Sequence, residues 1–401
     1  MTKRSHGDGG IDQRGENRFR LRYRIGKRRF GKTFHGTLSD AKKELRALLR
    51  SGDTGEHVAP DKISLGEWIE YWLSLGAPGR KKKRAGRRTL ERYGQLLRGH
   101  LTPTLGTKRL QQLQPTDIDK LYEGLEGKIA PRTQHHVHVV LGACLSAAVR
   151  KGLLSNNPIE RAEKIPSPGE ADHGQVLDQE QLASLVQGFR HSALYPIVAI
   201  AAFTGARRNE ILALRWSDLD PIEKTLRIER ALEATKGPVP GAGPTRRLKE
   251  PKRASHKRTI SIDDALVALL CNERNKHLRL KAGVPDGAEV NLSLVRLPED
   301  ALMFPSFARD SLDFTNLRDA NAVTREFERQ ARKRFPKLRF HDLRGSHETA
   351  LLDAGVPVHV VAARCGHDPA VLLHSYAKRT KKADTDAANK IGKLLGGALS
   401  D

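Results

Sequence analysis

The chain has 401 residues, of which 38% are apolar, so it is long enough for two to four domains with ordinary hydrophobic cores. Its 71 lysines and arginines outnumber 47 aspartates and glutamates, and the formal net charge of +24 favours a polyanionic partner, nucleic acid before membrane. The three cysteines are widely separated and form no CxxC pair, which argues against a zinc finger and a disulfide framework. The chain starts with polar residues and has no long apolar run, which argues against a signal peptide and a membrane span. These features fit a cytoplasmic protein.

The N-terminal segment predicts a small sheet with one arginine-covered face. Residues 18–25 alternate strictly between arginine and apolar residues, as expected of a half-buried strand. Gly26 is expected to turn the chain into a second strand over residues 28–34, and a helix capped by Ser39 follows. Like charges on one face repel each other unless an anion neutralises them, so we expect this face to enter a DNA groove; a solvated outer face is the alternative. Its arginines are Arg18, Arg20, Arg22 and Arg24.

Beyond a polar linker, residues 62–165 predict an all-helical bundle. Apolar residues recur at three- and four-residue spacing in four helices: around Trp68, over 89–101, from Thr116, and over 132–151. A basic run adjoins the second helix, where backbone amides also attract phosphate, although such runs are usually solvated. It comprises Lys81, Lys82, Lys83, Arg84, Arg87 and Arg88.

Three histidines in the fourth helix of the bundle resemble a metal cluster only at first sight. His135, His136 and His138 do not converge on one helical face, and no cysteine or carboxylate joins them. We therefore expect no metal site here, and a face that touches DNA backbone or packs internally instead.

After a Pro/Gly-rich linker, residues 176–401 predict a mixed, mainly α domain with a small antiparallel sheet. Helical periods alternate with a strand-rich patch, and helices dominate to the end. The predicted helices span 178–189 and 193–204, and the predicted strands span 225–233 and 257–262.

Four short motifs in this last segment suggest chemistry. A glycine turn after an apolar helix places Arg207 near a helix start, with Glu210 three residues on to hold its guanidinium. A basic turn before a strand contains Lys252. His341-Asp342-Leu343-Arg344 follows, and then Cys365-Gly366-His367, with Tyr376 nine residues later. Each motif is weak alone, but their combination in this order is specific.

These motifs resemble the tyrosine recombinase (phage integrase) family, whose catalytic arginine in TGxRxxE is followed by a strand lysine, HxxR, a GH pair and a tyrosine. The resemblance covers most of the chain. It implies an arm-type DNA-binding domain over 1–58, a core-binding domain over 62–165 and a catalytic domain over 176–401. It also implies a site-specific integrase of a phage or other mobile element, which cuts and rejoins DNA through a 3′-phosphotyrosyl intermediate; excision is left open.

The resemblance assigns a role to each of six residues. Arg207 and Arg344 would clamp the phosphate, because fixed planar donors that keep their proton suit the charge that builds there. Tyr376 would attack the phosphorus and Lys252 would protonate the departing 5′-oxygen. His341 would transfer a proton or contact the phosphate, and His367 would donate to a phosphate oxygen. Neither a cofactor nor a metal is expected. Basic neighbours are alternatives to Lys252: Lys249, Arg253, Lys257 and Arg258.

The expected partners are double-stranded DNA, at core and arm attachment sites, and three further copies in a homotetramer on DNA. An accessory DNA-bending or directionality protein is left open, and no membrane partner is expected. Two other functions compete with recombination. A tyrosine-type topoisomerase would have no use for the arm-like sheet, and a non-catalytic DNA-binding regulator of the same fold would not need all six residues.

The segment after Tyr376 predicts a helix with one narrow apolar stripe. Its apolar residues recur at i, i+4, i+7 and i+8, and they must be buried somewhere. Docking on the chain's own catalytic domain and docking on a neighbouring protomer are both open. The stripe consists of Ala387, Ile391, Leu394 and Leu395.

Overall fold

The computed structural model divides into two compact units, Met1–Ala171 and Asp172–Asp401. It describes residues 9–25, 27–53, 61–79, 83–169, 174–235, 237, 243–250, 257–285, 288–308, 311–377 and 391–393, with the backbone alone at 51–53 and 374–377. Within these ranges, no helix combines the length and the apolar character needed to cross a membrane.

The first unit begins with a three-stranded antiparallel sheet in the order β1 (Gly10–Gly15), β2 (Arg18–Ile25), β3 (Arg28–His35), followed by α1 (Leu38–Asp53). The alternation in β2 buries Phe19, Leu21 and Tyr23 against α1 and leaves the arginines exposed. This confirms the predicted sheet and its arginine-covered face. β1 was not predicted, because its sequence is polar and does not alternate.

The predicted cap of α1 is wrong. The helix begins at Leu38, and the Thr37 hydroxyl, rather than that of Ser39, accepts a hydrogen bond from the Asp40 amide at 3.2 Å. Ser39 already lies inside the first turn, where its own side chain cannot reach a free amide of the helix start.

The rest of the first unit is a helical bundle, as predicted. Its helices are α2 (Leu65–Ser74), α3 (Arg87–His100), α4 (Thr102–Leu105), α5 (Pro115–Leu125) and α6 (Pro131–Arg150). Ser64 and Glu67 form a reciprocal capping box at the start of α2, which turns Trp68 and Trp72 into the core. The bundle core is a separate cluster from the core under the N-terminal sheet.

The second unit contains a central helix that is mostly buried. It runs through α7 (Gln179–Gly188), α8 (Tyr195–Thr204), α9 (Arg208–Ile211), β4 (Leu219–Asp220), β5 (Thr225–Ile228), β6 (Ala231–Thr235), β7 (Thr245–Lys249), β8 (Arg258–Ser261), α10 (Asp264–Ala282), α11 (Ala320–Ala331), α12 (Asp342–Asp353), α13 (Val358–Cys365) and α14 (Pro369–Ala377). Eight of the ten residues of α8 are buried, and they include Thr204 at its C-terminal end.

Two small antiparallel sheets replace the single strand-rich patch. One has the order β4-β5-β8, and β6 pairs with β7. The predicted continuous strand over 225–233 is wrong: the chain leaves β5 at Ile228, and Arg230 Nη2 contacts the buried Asp218 carboxylate at 2.6 Å from Oδ2 before β6 begins. The ion pair redirects the chain between the two sheets.

Candidate active site

Arg207 is delivered by a glycine turn at the end of α8. Gly205 has a left-handed φ of 63°, and a Cβ there would lie 2.7 Å from Cδ2 of His347, so both the conformation and the space favour glycine. Arg207 then caps α9. Its Nη1 donates to Glu210 Oε1 at 2.8 Å, and its backbone amide donates to Oε2 at 2.9 Å. The predicted contact between Glu210 and this guanidinium is present.

Arg344 lies in the first turn of α12 and is 3% exposed. Nη1 donates to the carbonyl oxygen of Gly205 and Nη2 to that of Cys365, both at 2.7 Å. Nε lies 3.1 Å from Nε2 of His367. Because three sides of the planar group are held, its orientation is set before any ligand arrives.

The two arginines are anchored crosswise by glycine carbonyls. Arg344 is held by Gly205, two residues before Arg207, while Arg207 Nη2 donates at 3.3 Å to Gly366, the residue before His367. The ends of α8, α12 and α13 therefore meet at one place. Three of the six predicted catalytic residues, Arg207, Arg344 and His367, are brought together there.

A buried ion-pair network lies beneath Arg207. Glu210 Oε2 contacts Arg258 Nη2 at 2.8 Å, and both side chains are 6% exposed. Burial by itself raises the pKa of Glu210, but the hydrogen bond and charge of Arg258, with the amide and guanidinium of Arg207, lower it to about 2. Arg258 is thus committed to Glu210, which removes it as an alternative to Lys252.

His341 precedes α12 as its N-terminal cap residue and reaches solvent. Desolvation by the surrounding protein and then the positive charge of Arg344 lower the pKa of the His341 imidazole, so the ring is neutral near pH 7. No described residue forms a hydrogen bond with its ring. Its exposure to solvent leaves it accessible to a ligand.

The predicted nucleophile and the predicted acid are placed only in part. Tyr376 lies on α14, one residue before the end of that helix, and its side chain is outside the described residues. Lys252 is also outside them, in the connection between β7 and β8. Of its basic neighbours, Lys249 contacts Glu233 at 2.7 Å and Lys257 contacts Glu250 at 2.9 Å.

The sequence motifs did not reveal the second layer of the site. Glu348, one turn after Arg344, is buried and contacts both Arg344 and His367. His347 packs behind Gly205, with Nδ1 2.8 Å from the Ala202 carbonyl at the end of α8, and burial lowers its pKa to about 4. A carboxylate at i+4 from an arginine was a detectable signal, but only burial distinguishes it from a surface pair.

The predicted DNA-binding arginines of the sheet have different surroundings. Arg18, Arg20, Arg22 and Arg24 are all exposed. Arg22 Nη2 contacts Asp12 Oδ1 at 2.7 Å, and Arg20 Nη1 donates to the Thr33 hydroxyl at 3.3 Å across β3. The charge of the face is therefore partly neutralised at Arg22, which the strand pattern alone could not show.

The predicted basic run of the bundle is described in part. Lys81 and Lys82 lie outside the described residues, whereas Lys83 and Arg87 are exposed, the latter as the first residue of α3.

The histidine cluster of α6 has internal partners: His138 Nδ1 lies 2.9 Å from the Tyr122 hydroxyl, and His135 Nδ1 lies 2.8 Å from the Pro166 carbonyl. These contacts favour packing for both rings.

The arrangement at the ends of α8, α12 and α13 suits a phosphate diester. Two guanidinium groups and the His367 imidazole converge, and the neighbouring carboxylates Glu210 and Glu348 are held in ion pairs. Fixed charged donors of this kind stabilise the negative charge that develops on non-bridging oxygens in the transition state. Among the described residues, no group of three or more His, Cys, Asp or Glu could hold a metal ion.

The comparison with protein families matches residues 175–383 to the Phage integrase family. An integrase of Streptomyces ambofaciens is 26% identical, over 94% of this chain and 94% of its own length. A XerC-like tyrosine recombinase of Caldanaerobacter subterraneus subsp. tengcongensis is 24% identical, over 95% and 97%.

Solved structures share the fold. The Tn1549 transposon integrase in complex with transposon right end DNA gives a TM-score of 0.62 at 17% identity, covering 83% of this chain and 100% of that one. A lambda integrase tetramer bound to a Holliday junction gives a TM-score of 0.51 at 13% identity, covering 89% and 95%. At these identities the likeness establishes the fold.

Proposed function

The chain belongs to the phage integrase family and is a site-specific DNA recombinase, and we propose that Arg207, His341, Arg344 and His367 bind the phosphate at the cleavage site. The observation that carries this proposal is the crossed anchoring of Arg207 and Arg344 on the carbonyls of Gly366 and Gly205. It fixes two positive groups in one place, and each of them also contacts a buried carboxylate, Glu210 or Glu348. Such preorganisation is what a phosphoryl-transfer site requires.

In the proposed reaction, the phenolic oxygen of Tyr376 attacks the phosphorus and the 5′-oxygen leaves. Neutral His341 takes the phenolic proton, and Lys252 gives a proton to the departing oxygen. The products are a 3′-phosphotyrosyl ester and a free 5′-hydroxyl. A 5′-hydroxyl of another strand reverses these steps, so the ester conserves the bond energy and strand joining needs no other energy source.

A nicked suicide substrate tests this function. A short fragment that carries the 5′-hydroxyl diffuses away after cleavage, so wild-type protein is expected to accumulate as a covalent adduct. Tyr376→Phe should form none while binding the same DNA. Tyr195→Phe, which removes a phenolic oxygen elsewhere in the second unit, is the matched control and should form the adduct normally. An adduct with Tyr376→Phe would assign the nucleophile to another residue.

The division of labour along the chain is also a proposal. The sheet of residues 1–58 would bind arm sites, the bundle of 62–165 core sites, and residues 176–401 would carry out the chemistry. Separate hydrophobic clusters under the sheet and in the bundle support independent binding roles. A protomer that holds two separated sites on one duplex requires the intervening DNA to bend. Because short DNA is stiff, this requirement favours an accessory DNA-bending or directionality protein.

Assembly and location follow from the same function. Two duplexes present four strands for exchange, so we propose a homotetramer on DNA, in line with the fold it shares with the lambda integrase tetramer. All three cysteines are free thiols, which suits the proposed cytoplasmic location. A topoisomerase is not favoured, because the similar proteins are named as integrases and recombinases.

A further inference from the structure

The linker that follows the helical bundle ends against α12. Its last stretch, residues 174–177, precedes α7, and the amide of Gln175 donates to Asp342 Oδ2 at 3.3 Å. The amide of Leu177 donates to the Ser346 hydroxyl at 3.0 Å, and that hydroxyl donates to the carbonyl oxygen of Asp342 at 2.9 Å. Both acceptor residues lie on α12 and are buried. The end of the linker is therefore attached to the first turns of this helix.

The same carboxylate also holds the loop in front of α12. The amide of Arg339 donates to Asp342 Oδ2 at 2.9 Å. The Arg339 guanidinium donates to this carboxylate through Nε, at 3.2 Å from both oxygens, and through Nη2, at 2.9 Å from Oδ1. His341 lies in the loop that these contacts close, as the residue before Asp342. Because the linker and the loop share one buried acceptor, a displacement of the linker is passed to His341.

Gly174 brings the linker too close to this carboxylate for any other residue. Its φ is 70°, a left-handed conformation that glycine adopts without steric cost. A Cβ at this position would overlap with Oδ1 of Asp342 and with Nη2 of Arg339. The close approach of the linker to Asp342 therefore depends on glycine at this position.

The linker is anchored on the bundle as well. His135 Nδ1 lies 2.8 Å from the carbonyl oxygen of Pro166. Gly169 follows with a φ of 69°, and a Cβ there would lie 3.4 Å from Cβ of Pro131, an ordinary van der Waals contact. Gly169 thus has the backbone conformation of Gly174 without its overlap with catalytic-unit side chains.

We propose that Asp342 is a positioning residue that couples the end of the linker to His341, so that the linker helps to place the proton acceptor of the cleavage reaction. Because the same segment leads back to the bundle, the proposed core-binding part of the chain has a covalent route to the site. The inference rests on the proposed role of His341. In this role Asp342 acts through its neighbour rather than on the phosphate.

The position of His341 can be followed in the full-length protein without DNA. Histidine rings are labelled with ¹³C and ¹⁵N, and the His341 signals are identified by their loss in His341→Gln. Gly174→Ala forces the linker and the carboxylate apart, so the His341 signals should shift. Gly169→Ala imposes the same backbone strain at the other end of the linker and should leave them in place. Unshifted signals in Gly174→Ala, or equal shifts in both variants, would overturn the proposal.

Single-turnover cleavage of the suicide substrate tests the consequence. Gly174→Ala and Asp342→Ala should each lower the rate at least about tenfold, because a small misplacement of a reacting group is costly. Half-site binding should stay within about threefold of wild type, and Gly169→Ala should cleave within about threefold. A wild-type rate in Asp342→Ala would overturn the proposal even if Gly174→Ala failed to fold.

A double-mutant cycle shows whether the linker acts through Asp342. In an Asp342→Ala background the carboxylate that the added methyl group would strike is gone, so Gly174→Ala should lower the rate less than about threefold further. Equal factors in both backgrounds would show that the linker acts by another route. The His341 signals need no strand cleavage, so their failure to shift differs from failure of the recombinase function, which the Tyr376→Phe adduct test decides.

Discussion

At the residue scale, the site depends on backbone carbonyls as much as on side chains. Gly205 and Gly366 both have left-handed φ angles, and each presents its carbonyl to the arginine of the other element. A side chain at Gly205 would collide with His347 and Cys365, and one at Gly366 would lie 3.2 Å from Arg258 Nη1. The glycines therefore serve both the turns and the orientation of the guanidinium groups.

Loss of either clamp arginine should slow cleavage far more than it weakens DNA binding. Removing one preorganised donor from such a site typically costs on the order of 100- to 1000-fold, and these donors are charged. Arg207→Ala and Arg344→Ala are compared in single-turnover cleavage of the suicide substrate. Arg274→Ala is the control, since it removes an exposed arginine of α10 in the same unit. Near-normal cleavage by either clamp variant would remove that arginine from the site.

The Glu210 network predicts an acid-sensitive contribution to stability. Its folded pKa of about 2 lies below the ordinary value of 4.5, so its stabilisation is complete above pH 4.5 and is lost as the pH falls toward 2. The difference corresponds to roughly 3 kcal/mol at most. Urea unfolding of wild type and Glu210→Gln should show a gap at pH 7 that narrows below pH 4.5. A gap independent of pH would mean that the loss is steric.

Residue spacing predicted the first layer of this site but not the second. The RxxE and HxxR patterns and the GH pair identified residues that the structure brings together, because each spans less than two helical turns. Glu348, His347 and Arg258 escaped, since their roles come from burial and from contacts between distant segments. A sequence reports local spacing, whereas the pairing of Arg258 with Glu210 requires β8 and α9 to meet.

At the element scale, the N-terminal sheet separates its two faces clearly. Tyr23, Leu21 and Phe19 of β2 are buried under α1, and the intervening arginines are exposed. A period of two predicted this separation. The polar strand β1 could not be predicted in the same way, yet it supplies Asp12, which pairs with Arg22. The charge that this face would offer to its proposed DNA partner is therefore reduced at Arg22.

Removing charge from the sheet face should impair arm-site binding and spare the core site. The triple change Arg18→Ala, Arg20→Ala and Arg24→Ala should weaken binding to arm DNA. It should also reduce the slope of the logarithm of the binding constant against the logarithm of salt concentration by the contribution of about three phosphate contacts. Filter binding over a range of salt concentrations measures both effects. Arg22 keeps its ion pair with Asp12 in this variant.

A charge-matched control distinguishes recognition from net charge. Lys42, Lys43 and Arg46 are exposed on α1, the element on the other side of the sheet. Their triple replacement by alanine removes the same three charges and should change arm binding far less. Equal losses from both triple variants would indicate nonspecific attraction, and the arm-site assignment should then be abandoned.

At the scale of the whole molecule, the C-terminal tail is the segment that we expect to connect catalysis with assembly. In the proposed tetramer, two of the four tyrosines would cut at a time, so each protomer would have to respond to its neighbour. In the described part of the tail, Ile391–Lys393 is helical and Ile391 is 52% exposed; Leu394 lies outside it. Val371 and Leu373 on the helix of Tyr376 are about half exposed too. These exposed apolar side chains offer a surface that a partner could cover.

The tail is therefore expected to dock on a neighbouring protomer. Ile391→Asp with Leu394→Asp should leave binding to one half-site unchanged but lower the yield of the four-subunit complex on full sites by about tenfold or more. Two buried apolar contacts per interface would be replaced by charges, and four interfaces close the ring. Native electrophoresis of wild-type and variant complexes on full sites separates the two species.

Charge alone must be separated from the loss of the apolar stripe. Lys393→Glu lowers the charge of the tail by the same two units without touching the stripe, and it should assemble nearly as wild type does. If the double aspartate variant also gave the wild-type yield of four-subunit complex, the tail would pack on its own catalytic domain. Coupling between protomers would then have to pass through the DNA or through another surface, because no exchanged helix would link one tyrosine to the next subunit.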